Sequence, residues 1–592
     1  MGALGDGAPV LGVEQSLTGR RWRSRLADDR AALAITQAAG VPEIVGRLLA
    51  ARGVSGAEAQ DYLEPRLRDL MPDPSSLRDM DEAAARLAEA IAAGEMIAIF
   101  GDYDVDGATS AALLARYLGA LGAGVRVYIP DRVREGYGPN LEALKRLRQA
   151  GAALAVTVDC GISAHRTLAA VQALGLDVIV VDHHLAEPRL PACRAVVDPN
   201  RLDDDSGLGM LAAVGVTLLL VVALNRRLRA AGHFSAVPEP DIMAWLDLVA
   251  LGTVCDVVPL IGLNRALVVR GLEVMAGRRN VGLAALADVA GLESRPNTYH
   301  AGFVLGPRIN AGGRVGQADL GYRLLATEDA VEAAALARDL ERHNRDRQAI
   351  EAMTVAEAMA QVDALGDRLG PIALAVGQNW HPGVIGLVAS RLAERFDRPA
   401  LVIALDGETG KGSARSVPGT DIGAAITAAR QSGLLINGGG HAMAAGLTVA
   451  RAGVTALSEF LAQRVGADRA HRPPPGLGID GALTLAAADR ALVDCCARAG
   501  PFGSGNPEPR FAFAAARVVH AKVVGAGHVR CVLADGHGGR LAGIAFRAAD
   551  SALGRALLGA GGSFHVAGHL RPDDWRGRHD VQLSIDDAAA AG

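Results

Sequence analysis

The chain has 592 residues, a formal net charge of −5, and a composition that is 50% hydrophobic, 4% aromatic and 21% charged. This length exceeds what one hydrophobic core can organise and predicts about three or four domains. The hydrophobic content excludes an intrinsically disordered chain, and the negative net charge excludes a global positive field. Any binding of nucleic acid must therefore depend on local basic patches.

The six cysteines are scattered without CxxC spacing, which argues against a structural zinc site and a secreted disulfide scaffold. The most apolar segment, residues 210–224, is too short to cross a bilayer and is predicted to be a core helix. The N-terminus lacks the charged start and apolar run of a signal peptide. We therefore expect a cytoplasmic protein with no membrane partner.

In chain order, residues 1–75 are predicted to be an N-terminal leader. Its arginines Arg20, Arg21, Arg23 and Arg25 surround Trp22. This cluster could contact nucleic acid, although a solvated basic tail explains it equally well.

Residues 79–181 show a regular alternation of predicted helices and strands. The pattern predicts helices at 79–94, 108–122, 141–150 and 162–175, and strands at 96–100, 125–130, 154–159 and 177–181. Strands that alternate with helices are typical of a parallel, doubly wound α/β sheet.

The stretch MIAIFGDYDVDG places Asp102, Asp104 and Asp106 directly after the first of these strands. In an open α/β sheet, functional side chains collect where strands end. Three like charges repel one another, so such a cluster lies either in open solvent or around a cation, and Mg²⁺ and Mn²⁺ prefer oxygen ligands. The alternative interpretation is an acidic turn, because Asp and Gly are ordinary turn formers.

Ligand-type side chains recur at later positions of the same kind. They are Asp159 in TVDCGIS, Asp182, His183 and His184 in VIVVDHH, and Asp256 in LGTVCDVVPL, in a loop behind a predicted helix at 242–251. A single Asp is often a cap and a single His is often structural. A doubly wound sheet, however, would bring the strand ends to one edge, which favours a common site.

Further along, residues 329–362 predict a long helix, and residues 369–468 predict a second α/β lobe. The segment HRPPPG at 471–476 marks a boundary. Beyond it, short alternating segments predict a small β-barrel.

These motifs together resemble those of the DHH phosphoesterase superfamily, and more closely those of its RecJ family of single-stranded-DNA-specific 5′→3′ exonucleases. The resemblance rests on GDYDVDG, TVDCGIS, VDHH, GTVCDVVPL, GPRINAGGR, NWHPGVIGLVASRL, GKGSARS and NGGGHAMAAG. Superfamily members that are pyrophosphatases carry a metal-binding His where this chain has Phe100, which agrees with the RecJ branch.

The resemblance implies an α/β fold with two α/β lobes joined by a long helix, followed by an OB-like β-barrel. The implied domains are a leader (1–75), a DHH catalytic domain with a parallel sheet (76–325), a connecting helix (326–368), a smaller DHHA1 domain (369–468) and a nucleic-acid-binding barrel (473–592).

The resemblance also implies a catalytic centre with two divalent ions, Mn²⁺ or Mg²⁺, that activate a water and stabilise charge at phosphorus. The implied ligands are Asp104, Asp106, Asp159, His183 and Asp256, with Asp159 as the bridge. Asp102 and His184 are implied as weaker ligands or outer contacts.

The implied substrate contacts are Arg132, Arg308, Asn310, Arg314, Ser413, Arg415, Gly438, Gly439, Gly440 and His441. An Arg fork matches phosphate oxygens, and the amides of a glycine run can form an anion-binding nest. Without the resemblance, NGGGH would be interpreted as a glycine-rich turn with a surface His.

The predicted barrel carries basic and aromatic residues suited to single strands. The basic candidates are Arg510, Lys522, Arg530, Arg540, Arg547 and Arg571, and the aromatic candidates are Phe502, Phe511, Phe513, Phe546, Phe564 and Trp575. Scattered surface charge explains the basic residues almost as well, and burial in the core is the alternative for most of the aromatic ones.

The expected function is hydrolysis of single-stranded DNA to mononucleotides in DNA repair and recombination. The alternatives are an oligoribonuclease or nucleotide bisphosphate phosphatase, and a catalytically inactive replication scaffold. The implied partners are single-stranded DNA, the single-strand-binding protein and a RecQ-type helicase, and we expect a monomer.

Overall fold

The computed structural model describes residues 7–469, 476–559, 561–573 and 580–591. The chain forms two compact units. The larger unit comprises Pro72–Asp256 and Arg270–Arg472, and the smaller comprises Met1–Met71, Val257–Val269 and Pro473–Gly592. Within the described ranges, every helix is too short or too polar to cross a membrane.

The α-helices of the described residues are numbered in chain order. They are α1 (Asp29–Ala39), α2 (Glu43–Ala50), α3 (Ala59–Leu63), α4 (Leu67–Leu70), α5 (Met80–Ala93), α6 (Val105–Ala120), α7 (Leu141–Gln149), α8 (His165–Gln172), α9 (Ala213–Ala230), α10 (Leu246–Cys255), α11 (Gly262–Ala276), α12 (Val281–Val289), α13 (Gly306–Val315), α14 (Leu320–Ala326), α15 (Ala330–Asp363), α16 (Ile385–Phe396), α17 (Ile422–Gln431), α18 (Val454–Arg469), α19 (Arg490–Ala497) and α20 (Ala552–Leu558).

The strands are numbered in the same way. They are β1 (Arg21–Ser24), β2 (Met96–Gly101), β3 (Val125–Tyr128), β4 (Ala152–Val158), β5 (Asp177–Val181), β6 (Ala195–Val197), β7 (Ala373–Gln378), β8 (Ala400–Asp406), β9 (Thr409–Arg415), β10 (Asn437–His441), β11 (Ala444–Ala450), β12 (Gly476–Ile479), β13 (Gly481–Leu483), β14 (Phe511–Val524), β15 (His528–Ala534), β16 (Arg540–Ala545), β17 (Ser563–Asp573) and β18 (Asp580–Ala590).

The first sheet of the larger unit is parallel throughout and has the strand order β3-β2-β4-β5-β6. Ala98 and Phe100 of β2 are buried in one core with Leu144 of α7 and Leu168 of α8. The strand order reverses between β2 and β4, and a crevice forms at the carboxyl ends of strands at such a point. The predicted doubly wound sheet is confirmed.

The second sheet of the larger unit has the order β10-β11-β9-β8-β7. Only β7 and β8 pair in parallel; the other neighbours are antiparallel. The glycine-rich segment NGGGH forms the edge strand β10. Its interpretation as a turn is therefore wrong, because these glycines have extended backbones that pair with β11. That their amides bind an anion stays a prediction.

Helix α15 joins the two lobes, as predicted. Asp329 caps its first turn, accepting hydrogen bonds from the amides of Val331 and Glu332. Its first half packs against α12, α13 and α14. Ala358 and Val362 in its second half belong to the core formed with β7 and α16.

The smaller unit contains the predicted barrel. Strands β14, β15, β16, β18 and β17 pair in this order, and β17 pairs back with β14 to close the sheet. Strand β14 reaches both neighbours because bulges shift its register along its length. The OB-like barrel is confirmed.

The N-terminal segment is part of the same unit as the barrel. Strand β1 pairs in parallel with β12, and the amide of Leu17 donates to the carbonyl of Ala588. Trp22 is fully buried, and its Nε1–H donates to Asp587 Oδ2 at 3.0 Å. A solvated tail is therefore the wrong interpretation of this stretch.

The aromatic candidates of the barrel differ in exposure. Phe511 and Phe513 are buried in the core, so they cannot stack on a base. Phe546 is 54% exposed. Trp575 lies outside the described residues.

We expect Trp22→Ala to destabilise the smaller unit by about 3–5 kcal/mol, because it leaves a cavity and removes a donor from the buried Asp587. Urea denaturation followed by circular dichroism measures this loss. Trp22→Phe should cost less, since it loses the hydrogen bond but keeps most of the volume. Gln15→Ala, at an exposed position nearby, is the matched control. Unfolding of Trp22→Ala at the wild-type urea concentration would contradict the prediction.

Candidate active site

The acidic stretch after β2 forms the start of helix α6. Asp104 caps this helix, and its Oδ1 accepts a hydrogen bond from the amide of Gly107 at 3.0 Å. A Cβ atom on Gly107 would lie 2.5 Å from the carbonyl oxygen of Asp102, so the tight turn requires glycine here. The turn brings the carboxyl groups of Asp102, Asp104 and Asp106 to the crevice at the end of β2.

Asp106 is buried and binds the amino end of another helix. Its two carboxylate oxygens accept hydrogen bonds from the amides of Ala213 (2.7 Å) and Val214 (2.9 Å) in α9. Unpaired amides at a helix N-terminus favour a negative charge. Helix α9 therefore holds this carboxylate in place.

Asp159 directly follows β4 and has a left-handed backbone with φ of 61°. This conformation costs roughly 1–2 kcal/mol for a residue with a side chain. Two hydrogen bonds hold it: its amide donates to the carbonyl of Val181 at 3.0 Å, and its carbonyl accepts from the Tyr137 hydroxyl at 3.1 Å. The strained backbone aims the buried carboxyl group into the crevice.

The His183 ring lies among three carboxylates. Its Nε2 is 3.4 Å from Asp159 Oδ1, 3.6 Å from Asp256 Oδ2 and 3.8 Å from Asp106 Oδ2. This buried nitrogen makes no hydrogen bond with any residue that the structure describes. Burial lowers the pKa of His183 to about 4, so the ring is neutral and offers a lone pair.

Asp256 is placed differently from the prediction. It does not lie in a loop behind a helix ending at 251, because α10 continues to Cys255 and Asp256 is its C-cap. Burial, followed by repulsion from Asp104, raises the pKa of Asp256 to about 7.

Burial and mutual repulsion raise the pKa values of Asp102, Asp106 and Asp159 well above the ordinary range. Asp102 Oδ1 has no hydrogen-bond partner among the described residues. Potential ligand atoms lie within 4.8 Å of one another in three groups: Asp159, His183 and His184; Asp106, His183 and Asp256; and Asp102, Asp104 and Asp159. Hard oxygen donors with a neutral imidazole suit Mg²⁺ or Mn²⁺.

Asp182 has a role that the sequence did not reveal. Its buried carboxylate accepts hydrogen bonds from the amides of Ile162 (3.0 Å) and His183 (2.8 Å), and it lies 2.7 Å from Nδ1 of His184. Burial alone would lower the pKa of His184, but the Asp182 carboxylate raises it to about 9. His184 is therefore a cation at neutral pH. The signal in the sequence was an Asp directly after a buried strand.

Two further side chains support the site from loops. Asn200 Nδ2 donates to the carbonyl of His183 at 2.6 Å, and the Tyr137 hydroxyl lies 3.2 Å from Nδ1 of His184. Neither stands out in the sequence, because isolated Asn and Tyr residues in loops are common.

Guanidinium groups from several segments of the chain lie close to one another and to Asp104. Burial, followed by repulsion from Arg132, Arg347 and Arg415, lowers the pKa of Arg314 to about 10. The guanidinium carbon of Arg132 lies 4.8 Å from the centre of the Tyr103 ring. Such a concentration of positive charge favours an anion.

The remaining predicted substrate contacts have different surroundings. Ser413 Oγ accepts a hydrogen bond from Arg415 at 3.1 Å, so these two lie together. Arg308 instead pairs with Glu341 at 2.7 Å and also donates to the carbonyl of Val304. Its charge is thus already neutralised. Asn310 lies two residues further along the same helix, α13.

His441, at the end of edge strand β10, is exposed. Its ring stacks with that of His184, with centroids 6.4 Å apart and an interplanar angle of 19°. Gly438 is buried, whereas a Cβ on Gly439 would meet open space. The structure therefore brings strand β10 beside the histidines of the first lobe.

Comparison with known proteins agrees with this geometry. Three family models match: the DHH family, N-terminal domain, at residues 96–253; the DHHA1 domain at 369–467; and the RecJ OB domain at 479–587. The single-stranded-DNA-specific exonuclease RecJ of Bacillus subtilis is 35% identical, over 96% of this chain and 71% of its own length. The chain belongs to the RecJ family.

Two more similarities support membership of the RecJ family. The RecJ of Dickeya dadantii, with the same description, is 36% identical over 92% of this chain and 96% of its own length. The crystal structure of RecJ in complex with Mn²⁺ from Thermus thermophilus has a TM-score of 0.79 and 32% identity. It covers 95% of this chain, which in turn covers 78% of that structure.

We expect Asp182→Asn to lower the pKa of His184 from about 9, although Asp256 and Asp102 still raise it. The substitution removes the charge that stabilises the imidazolium, and burial then disfavours it. Histidine NMR titration without divalent ions measures the change. Asn200→Ala is the control, because it alters the contact to His183 but leaves the Asp182 pair intact. A His184 that still titrates near 9 in Asp182→Asn refutes this account.

Proposed function

We propose that this chain is a single-stranded-DNA-specific exonuclease that hydrolyses strands in the 5′→3′ direction to mononucleotides. The observation that carries this proposal is the cluster of Asp106, Asp159, His183 and Asp256, whose potential ligand atoms lie close together. The same unit also holds the arginines Arg132, Arg314 and Arg415. The RecJ relatives that are single-stranded-DNA-specific exonucleases support the substrate class. A role in DNA repair and recombination follows from this substrate.

The side chains present fit divalent cations. His183 Nε2 and Asp102 Oδ1 are buried without hydrogen-bond partners among the described residues, and the neighbouring carboxylates repel one another. We propose that Asp104, Asp106, Asp159, His183 and Asp256 hold two ions, Mn²⁺ or Mg²⁺, with Asp159 shared between them and Asp102 beside them. Such ions supply Lewis acidity that activates a water and stabilises developing negative charge. The Thermus thermophilus relative binds Mn²⁺.

The protein's own side chains position the substrate. Arg132, Arg314 and Arg415, with Ser413, bind the phosphates next to the scissile bond, because a planar guanidinium matches phosphate oxygens in a bidentate manner. His184, kept positively charged by Asp182, adds a further cation to this surface.

Strand β10 contributes from the second lobe. The edge of a sheet has unpaired backbone groups, and Gly439 presents them without a side chain. We propose that Gly438, Gly439, Gly440 and His441 contact the strand backbone there.

Two alternatives remain distinguishable by experiment. An oligoribonuclease or nucleotide bisphosphate phosphatase would not need the barrel that the RecJ OB domain matches. An inactive replication scaffold would not need a clustered set of ligand-type side chains. A gel assay with Mn²⁺ on a long 5′-phosphorylated single strand, the matching duplex and a dinucleotide separates them. We expect fast digestion of the long single strand; preference for the dinucleotide, or no hydrolysis, would overturn the proposal.

The remaining proposals concern partners, oligomeric state and location. We propose the single-strand-binding protein and a RecQ-type helicase as partners, which co-purification tests. We also propose a monomer, which light scattering tests, and a cytoplasmic location, which cell fractionation tests.

We expect Asp159→Ala to reduce hydrolysis on the order of a thousandfold or more. Affinity for single strands should change little, since phosphate contacts elsewhere supply most of it. Steady-state kinetics in Mn²⁺ and binding in EDTA measure the two effects, and calorimetry should give a lower Mn²⁺ stoichiometry than the two per chain proposed for the wild type. Asp205→Ala, 94% exposed in the same unit, is the control. Wild-type turnover of Asp159→Ala in saturating Mn²⁺ would remove Asp159 from the shared position.

We expect blunt duplex DNA to be a poor substrate, because a site that binds one backbone against the arginines and strand β10 must exclude the complementary strand. Initial rates on a 5′-phosphorylated single strand, a blunt duplex and a duplex with a 5′ tail measure this selectivity. Digestion of the tail that slows at the junction fits the proposal, whereas efficient digestion of the blunt duplex contradicts it.

A further inference from the structure

The smaller unit contains a cavity of about 560 Å³ that is lined by both the N-terminal segment and the barrel. Leu17, Leu553 and Ile585 contribute apolar surface to its lining, whereas Arg20 and Arg547 contribute positive charge. Small-molecule sites commonly have volumes of roughly 300–1,000 Å³ and combine apolar walls with a few polar groups. The volume therefore suits a ligand the size of one nucleotide.

The arginines that line this cavity differ in whether a carboxylate neutralises them. Arg510 is already paired, because its Nε donates to Asp586 Oδ2 at 2.8 Å, and His569 Nε2 lies 3.0 Å from the same oxygen. Within the part of the chain that the structure describes, Arg20 and Arg547 have no carboxylate within ion-pair distance. The cavity therefore has an excess of positive charge and favours an anionic ligand.

An aromatic ring is presented next to these arginines. Phe546 lines the cavity and is 54% exposed, and the His528 ring contacts it edge-on at 5.3 Å and 72°. The following residue, Arg547, has a left-handed backbone with φ of 51°, and its amide donates to His528 Nδ1 at 2.9 Å. His528 thus holds the turn that exposes both side chains.

We infer that this cavity binds one nucleotide, with its phosphate between Arg20 and Arg547 and its base on the ring of Phe546. Guanidinium groups match phosphate oxygens, and aromatic rings stack on any base. The inference rests on the proposed function, because a nuclease of single strands encounters nucleotides both within the strand and as free product. Arg20 lies outside the segment matched by the RecJ OB domain, residues 479–587, so the barrel does not build this site alone.

The test measures the affinity of the full-length protein for a long labelled oligothymidylate in EDTA, across a salt series. The Arg20→Ala/Arg547→Ala double variant should bind more weakly. Its slope of log affinity against log salt should be shallower by about 0.7 for one lost phosphate contact. Phe546→Ala should weaken binding about tenfold or more, whereas Phe546→Tyr should retain wild-type affinity because it keeps the stacking surface.

Arg517→Ala is the matched control, because Arg517 is an exposed arginine on β14 that does not line the cavity. Arg517→Ala removes one positive charge, as each half of the double variant does, and should leave the salt slope unchanged. Thermal unfolding of each variant shows whether it is folded. If the double variant is unstable, the Phe546 variants test the inference instead, because this exposed side chain can be replaced with little effect on the fold. Wild-type affinity and salt slope in the folded double variant and in Phe546→Ala overturn the inference.

Free thymidine 5′-monophosphate distinguishes the two sources of the nucleotide. Competition that weakens strand binding by the wild type, but not by the double variant, assigns the cavity to the mononucleotide product. Weaker strand binding by the double variant without such competition assigns the cavity to a nucleotide within the strand.

Hydrolysis of the same strand by the wild type in Mn²⁺ is measured in parallel. A wild type that neither binds nor hydrolyses the strand refutes the proposed function, whereas an active wild type with unaffected variants refutes only this cavity.

Discussion

Repulsion among buried carboxylates is the constraint on which the rest of the larger unit depends. Asp102, Asp106 and Asp159 are buried, and repulsion from Asp104 and from other nearby carboxylates further raises the free energy of ionising each of them. The fold opposes this repulsion with amides of α9 on Asp106 and with the hydrogen-bonded, left-handed backbone of Asp159. These contacts fix the geometry but do not neutralise the charge. The arrangement is therefore most stable with cations, which links metal binding to the stability of the sheet edge.

A second charge cluster of opposite sign lies in the same unit, and both lobes supply it. Arg132 and Arg314 come from the first lobe and Arg415 from the second. Contacts between the lobes keep them together: Arg314 donates to the carbonyl of Gly383 at 3.0 Å, and Lys411 to the carbonyl of Val133 at 2.8 Å. Because α15 packs on both lobes, it limits their relative positions. Phosphate binding thus depends on the junction of the lobes, whereas the metal-type ligands belong to the first lobe alone.

The first sheet and the carboxylates at its edge could be predicted from the sequence for a physical reason. Buried parallel strands have continuous apolar sequences, and their ends are marked by residues such as Asp102, Asp159 and Asp182, whose charged forms are costly to bury. The order of strands then determines which ends meet. Asp256 shows the limit of this reasoning, because the apolar pattern did not reveal that α10 continues to Cys255 and carries it as a cap. Helix ends are poorly defined by hydrophobicity where both faces of the helix are buried.

Pairings between segments that are distant in the sequence could not be predicted from local sequence patterns. Trp22 lies among arginines in the sequence, which indicates a surface position. It is nevertheless buried in the smaller unit, because β1 pairs with β12 more than 400 residues away. Likewise NGGGH has the composition of a turn, and only its pairing with β11 makes it an edge strand. In both cases the deciding free energy comes from tertiary burial or backbone pairing, which overrides local propensity. The same dependence predicts that a truncation at residue 473 would also disrupt the N-terminal segment, because strand β1 would lose its partner β12 and Trp22 would lose Asp587. Separating strand binding from hydrolysis therefore requires substitutions at exposed side chains.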